Sequence, residues 1–231
     1  MLTEIKIGDI PVDVVLKDIK NVHLSVYPPT GRIRISAPLN SNLDTLRIYA
    51  ISKLPWIKRN QVKLKNQARE THREYLERES HYVWGKRYLL KIVNVETAAR
   101  VELNHSQLVM YVRPNTQTYQ MQAILDAWYR EQLKNSVPEL IEKWQKLIGV
   151  SVNSFYIQKM KTKWGSCNVE SRNIRLNSEL TKKPIECLEY VIVHELAHLI
   201  EPTHNSRFVY LMEQFMPKWE LYRNQLNSLP I

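Results

Sequence analysis

The sequence predicts an α+β fold: a β-rich N-terminal part, then a largely helical part that carries one short sheet. Residues 1–40 and 82–112 alternate apolar and polar side chains, the period of half-buried strands. Residues 118–148 repeat apolar side chains at helical spacing, and from Ile185 to Ile200 the chain is apolar almost all the way round. With 231 residues, 44% of them apolar, there is material for one or two compact cores. The division is placed between Pro114 and Gln117, giving 1–117 as a β-rich, mixed subdomain with a basic helix and 118–231 as a second domain.

Taken in order, strands 22–26 and 32–36 are joined by the turn Tyr27-Pro28-Pro29-Thr30-Gly31. Residues 42–77 read as helix, broken near Pro55. Strands return over 82–112, with Asn104-His105-Ser106 as a turn. Residues 118–148 read as helix broken near Pro138, with Ile124, Trp128, Leu133, Leu140, Trp144 and Leu147 as core, packed against the later apolar helix. Residues 154–161 form a strand with Phe155 and Ile157 on one side, 173–176 a return strand, and 165–172 the connection between them. Lys183-Pro184 starts the apolar helix, which must stop near Glu201 because Pro202 cannot continue it. Asn205 or Ser206 then caps a second helix with the stripe Phe208, Leu211, Met212 and Phe215, ended by Pro217.

The apolar helix is interrupted by His194-Glu195-Leu196-Ala197-His198. Residues four apart lie one turn up the same face, so His194 and His198 can meet one tetrahedral ion, with Glu195 beside it as a proton acceptor. Burying three such polar groups without a shared partner would cost several kcal/mol, roughly. After the turn at Pro202 comes His204, the expected third ligand, with Glu213 and then Glu220 as alternatives. Three protein ligands leave a fourth position open, the arrangement of a catalytic zinc site. Tyr210 or Tyr190 is the candidate donor to a developing oxyanion.

Trp164-Gly165-Ser166-Cys167, Asn173 through Asn177, Tyr190 through Leu199, and His204-Asn205-Ser206 with Phe208 and Pro217 together resemble the YgjP-like metallopeptidase family, a relative of the SprT and WLM zinc peptidases. The segments around Gly31-Arg32-Ile33-Arg34, Trp56-Ile57 and Gly85-Lys86-Arg87-Tyr88 extend the likeness through the N-terminal half. The resemblance implies a small zincin-like metallopeptidase domain, one Zn²⁺ on His194, His198 and His204, and Glu195 as general base. Lys163, Trp164, Gly165 and Tyr210 are substrate-cleft candidates, with the 164–167 segment either lining a cleft where a peptide adds as a strand or packing beneath the metal helix. Glu201 stands where metzincin-type peptidases carry a glycine, which argues against that subgroup.

Two cysteines, Cys167 and Cys187, with no paired thiols exclude a thiolate zinc site and leave both as small buried groups. The start of the chain carries an early acid and no apolar signal segment, and no stretch is long and apolar enough to span a bilayer, so a cytoplasmic protein with no membrane partner is expected. The net charge is +10, and from Arg47 to Arg69 the basic residues, including Lys53, Lys58, Arg59, Lys63 and Lys65, are interrupted by no acid, with Trp56 among them. That helix is either a solvated basic face or a surface for nucleic acid. The rival to peptide hydrolysis is therefore a basic DNA-associated protein, with a structural zinc or acting on DNA-bound proteins. A zinc-holding interaction protein has no use for Glu195.

Overall fold

The computed structural model describes residues 2–27, 30–66 and 74–228, excluding the side chains of Leu2, Lys63 and Asn66. By contacts the chain divides after Ala68 into two compact units, not at the 114–117 linker. The reason lies in the packing of the strands over 80–112, which share a core with the long helix that comes after them.

The first unit holds β1 (Leu2–Ile7), β2 (Ile10–Lys17), β3 (His23–Tyr27) and β4 (Arg32–Pro38) in the order β1-β2-β4-β3, with only the β2–β4 pair parallel. Ile33, Ile35 and Ala37 alternate inward along β4 and meet Leu46, Ala50 and Ile57 of the two helices α1 (Leu43–Ser52) and α2 (Leu54–Asn66). The expected helix break falls at Lys53, just ahead of Pro55, which sits in the first turn of α2 where its missing N–H costs nothing. The prolongation to residue 77 fails where it can be followed: residues 74–79 are turn and irregular, and 67–73 lie outside the described residues. Pro28 and Pro29 of the expected turn also lie outside them.

In the second unit β5 (Ser80–Val83), β6 (Lys86–Asn94), β7 (Arg100–Leu103) and β8 (Gln107–Val112) form a sheet in the order β5-β6-β8-β7. Leu90, Leu108 and Met110 from it pack with Leu125 and Tyr129 of α3 (Thr118–Ile148). α3 runs unbroken through Pro138, contrary to the expected break. Pro138 and Lys134 are both exposed, so the carbonyl that proline leaves unpaired can be hydrated. The buried stripe is Leu125, Tyr129, Leu133, Val137, Ile141, Trp144 and Ile148, about one residue round from the expected face. Leu147 is 59% exposed, and Ile124, Trp128 and Leu140 are only half-buried.

Three more strands, β9 (Ser154–Gln158), β10 (Gly165–Asn168) and β11 (Asn173–Asn177), make a sheet in the order β10-β11-β9. The hairpin is therefore β10–β11, with 165–168 a strand instead of connection, and β9 joins β11 in parallel. A 3₁₀ turn, Ser178–Lys182, leads to α4 (Ile185–Ala197), then α5 (Ser206–Phe215) and α6 (Trp219–Ser228), the last unanticipated. α4 is the core of this unit, with Leu188, Ile192, Val193 and Leu196 fully enclosed. α3 packs beside it as expected, and the Trp144 indole N–H and the Lys143 ammonium both reach the Glu189 carboxylate, at 2.8 and 2.6 Å. The β5–β6 turn meets the start of α4: Trp84 N–H donates to Thr181 O at 2.7 Å, and a Cβ on Gly85, at φ +77°, would lie 2.9 Å from Pro184 Cγ. Among the described residues no helix is long and apolar enough to cross a membrane.

Candidate metal centre

α4 is buried on nearly every side, and His194 and Glu195 lie in its most enclosed stretch. Its last regular residue is Ala197, earlier than the expected stop near Glu201, because the chain tightens: Leu199 and Ile200 N–H groups donate to Leu196 O and Ala197 O, both at 3.0 Å. Side chains then build the turn that Pro202 forces. The Glu201 carboxylate accepts from Thr203 N–H (3.2 Å) and Oγ1–H (2.8 Å). Asn205 donates through Nδ2 to Thr203 Oγ1 (3.1 Å) and, as N-cap of α5, accepts from Phe208 N–H through Oδ1 (3.0 Å). His204 lies between these two anchors and is returned toward α4.

The ligand atoms of His194, His198 and His204 all lie within 4.8 Å of one another. His204 Nε2 is 3.0 Å from His194 Nε2. Two nitrogens bound to one tetrahedral zinc at 2.0–2.1 Å would be about 3.3 Å apart, so this spacing fits a shared cation. His198 Nδ1 lies 3.1 Å from Glu201 O; a carbonyl only accepts, so Nδ1 carries the proton and Nε2 keeps a free lone pair. Burial pushes the His194 imidazole down to about 3 and also lowers His198, which keeps both neutral, the form a ligand requires. His194 Nδ1 is buried with no partner among the described residues. The donor set therefore suits a divalent metal. The Phe208 ring touches all three imidazoles, with centroids 4.9, 4.6 and 4.8 Å away. The sequence offers Phe208 as core and within the family resemblance, not as a wall of the cluster; its place four residues after His204 is the available sign.

Glu195 is 5% exposed, and burial raises its carboxyl to about 8, with the Lys163 charge pulling the other way. Gly165, the first residue of edge strand β10, lies against it: an added Cβ would be 2.6 Å from Glu195 Oε1 and 2.8 Å from Val191 Cγ1. Cys167 is half-buried on the same strand; burial first and the Glu195 charge second raise its thiol to about 11, which leaves it unreactive. Trp164 is half-buried against the α4 core, with the ammonium of Lys183 5.6 Å over its ring. The packing role of the 164–167 segment is thus visible directly, and Gly165 adds close approach to Glu195.

Other expected residues fall elsewhere. Neither Glu213 nor Glu220 belongs to the histidine cluster. Tyr190 stands 5.8 Å from His194, ring to ring, and burial lifts its phenol to about 12. Tyr210 is exposed on α5. Lys58, Arg59 and Lys65 are exposed on α2 and Lys53 at the break before it, and the Lys63 side chain lies outside the described ones. Arg59 Nε donates to Pro55 O at 3.3 Å, and Trp56 is 39% exposed. Among the described residues there, nothing beyond charge and one partly open aromatic points to nucleic acid.

Similarity to known proteins agrees with this geometry. No curated protein matches the chain. Solved structures that overlap part of it include the metallopeptidase zymogen abylysin of Pyrococcus abyssi, 23% identical over 39% of this chain and 90% of that one with a TM-score of 0.37, and the metallopeptidase zymogen jannalysin of Methanocaldococcus jannaschii, 22% identical over 39% and 95% with a TM-score of 0.34. Overlap that slight bears on neither fold nor mechanism. The family model described as "YgjP-like, metallopeptidase domain" matches residues 20–229, nearly the whole chain. The histidine cluster thus sits in a peptide-bond hydrolase that depends on a metal, and the chain belongs to the YgjP-like metallopeptidase family.

Proposed function

We propose that His194, His198 and His204 hold a single Zn²⁺ and that Glu195 is the general base of a peptide hydrolase acting on peptide or protein substrates. The observation that carries this reading is the convergence of three imidazoles beside a buried carboxylate. Three nitrogen donors without thiolate suit zinc and leave a position for water. When bound, zinc polarises the scissile carbonyl and lowers the pKa of water toward about 7.

The remaining work belongs to the chain. Glu195, buried beside the cluster, takes the proton of the attacking water as its carboxylate and returns it to the leaving amine. Burial also keeps bulk water from competing for that proton. The Glu201 carbonyl fixes the His198 tautomer, and Phe208 walls one side of the cluster. β10 is an edge strand starting beside Glu195, so its free main-chain groups can receive an extended peptide and bring a carbonyl to the site. Tyr190, its ring packed edge-on against His194, is the donor we assign to the oxyanion.

The experiment compares metal content and cleavage of an unfolded protein for wild type and Glu195→Gln. The variant keeps its zinc while kcat/KM falls by roughly 10²–10⁴. Full activity in Glu195→Gln, or a wild type that binds no metal, overturns the proposal.

A further inference from the structure

Asn177, the last residue of β11, is 2% exposed and uses every hydrogen-bonding capacity of its side chain. Nδ2 donates to Met160 O (2.9 Å) and Lys163 O (2.8 Å). Oδ1 accepts from Met160 N–H (3.3 Å) and Glu179 N–H (3.2 Å). Its own main-chain N–H donates to Trp164 O at 2.9 Å. One carboxamide thereby ties both ends of the irregular 159–164 loop to β11. That loop runs directly into Gly165, whose Cα hydrogens face the Glu195 carboxylate with no room for a methyl group. Apart from the Asn177 N–H to Trp164 O bond, no backbone ladder holds residues 159–164, so the seating of this loop ahead of β10 rests on the Asn177 side chain.

We infer that Asn177 is a positioning residue of the hydrolytic site: it clamps the 159–164 loop so that β10 begins with Gly165 against Glu195. The inference rests on Glu195 being the base. Loss of the clamp lets the loop lift, and the start of β10 shifts from the carboxylate. Aspartate is the sharpest replacement. It keeps the acceptor toward Met160 N–H but sets a carboxylate oxygen against the carbonyls of Met160 and Lys163, which have donors in the wild type. The Lys163 side chain, whose charge acts on both Glu195 and His198, would move with the loop.

The test pairs Asn177→Asp with Asn153→Asp. Asn153 makes a comparable bond, Nδ2 to Ser171 O at 2.9 Å, at the opposite end of the same sheet. Asn177→Asp is expected to lower kcat by roughly tenfold to a hundredfold with zinc content nearly unchanged, while Asn153→Asp keeps the wild-type kcat. A kcat for Asn177→Asp close to wild type, or an equal fall in both variants, overturns the inference. Hydrogen exchange on the wild-type protein decides the matter if Asn177→Asp does not fold. The Met160 and Glu179 amides, both bonded to Asn177 Oδ1, should be protected to the level of the β11 ladder, and exchange as fast as an open loop refutes the clamp. A wild type without Glu195-dependent cleavage would instead defeat the proposed function, and the exchange measurement would still judge the clamp.

Discussion

Replacing Gly165 by alanine probes the contact between the edge strand and the proposed base, Glu195, most directly. The added methyl carbon would lie 2.6 Å from Glu195 Oε1, 2.8 Å from Val191 Cγ1 and 2.9 Å from Glu195 Cγ, whereas ordinary contact begins at 3.4 Å. Relief requires a displacement of about 0.8 Å, shared between β10 and Glu195, because Val191 is locked in the core of α4. Misplacing a catalytic group by about 1 Å costs on the order of a hundredfold in rate, or about 2.7 kcal/mol of transition-state stabilisation. The same overpacking should cost about 1–3 kcal/mol of stability, seen as a lower Tm. Gly165→Ala is therefore expected to fold and retain zinc but to lose about two orders of magnitude in kcat on an unfolded protein substrate. The assay is steady-state cleavage with metal content and a thermal melt on the same preparation. A variant with wild-type kcat would show that Glu195 does not work from the position its burial against β10 assigns it.

The same geometry sets three further outcomes. His204 is exposed and anchored by its neighbours, so His204→Ala should leave the metal-free melt within about 0.5 kcal/mol of wild type while zinc affinity drops sharply by calorimetry; unchanged affinity would remove His204 from the ligand set. In metal-free protein, His194 has a folded pKa near 3 against 6.5 in the unfolded chain, so its contribution to stability is complete above 6.5 and is lost as pH falls toward 3. Glu195 has the opposite sign: with a folded pKa near 8 against 4.5, its contribution is complete below 4.5 and is lost as pH rises to 8. The two slopes cancel between 4.5 and 6.5, His198 adds a rise just below 6.5, and stability should decline from 6.5 to 8, a decline that Glu195→Gln abolishes in pH-dependent melts. Gly85→Ala combines a φ of +77° with a methyl 2.9 Å from Pro184 Cγ, and should destabilise the second unit by about 1–3 kcal/mol; an unchanged Tm would mean the β5–β6 turn does not bear on α4.

Local chain geometry settles much of the site from the amino acids alone. The helical period places His194 and His198 one turn apart, Pro202 forbids the helix to go on, and Asn205 caps the next helix, so the return of His204 was legible in residue order. These are effects of covalent geometry and of hydrogen bonds spanning a few residues, and they hold wherever the segment is placed. Which face of a helix is buried depends on what it meets, so the α3 stripe settled about one residue from its expected position and Leu147 came out exposed. Pro138 stays within α3 because its turn faces water and the stripe beneath is held by the sheet and α4, support that propensity does not contain. The edge-strand pairing of 165–168, the press of Gly165 on Glu195, the Phe208 wall and the Asn177 clamp all join residues distant in sequence or brought together by packing. The metal-binding pattern was therefore set by the order of residues, while the burial that tunes Glu195 and the strand laid against it were decided only when the second unit closed around α4, since desolvation and steric exclusion belong to the assembled interior.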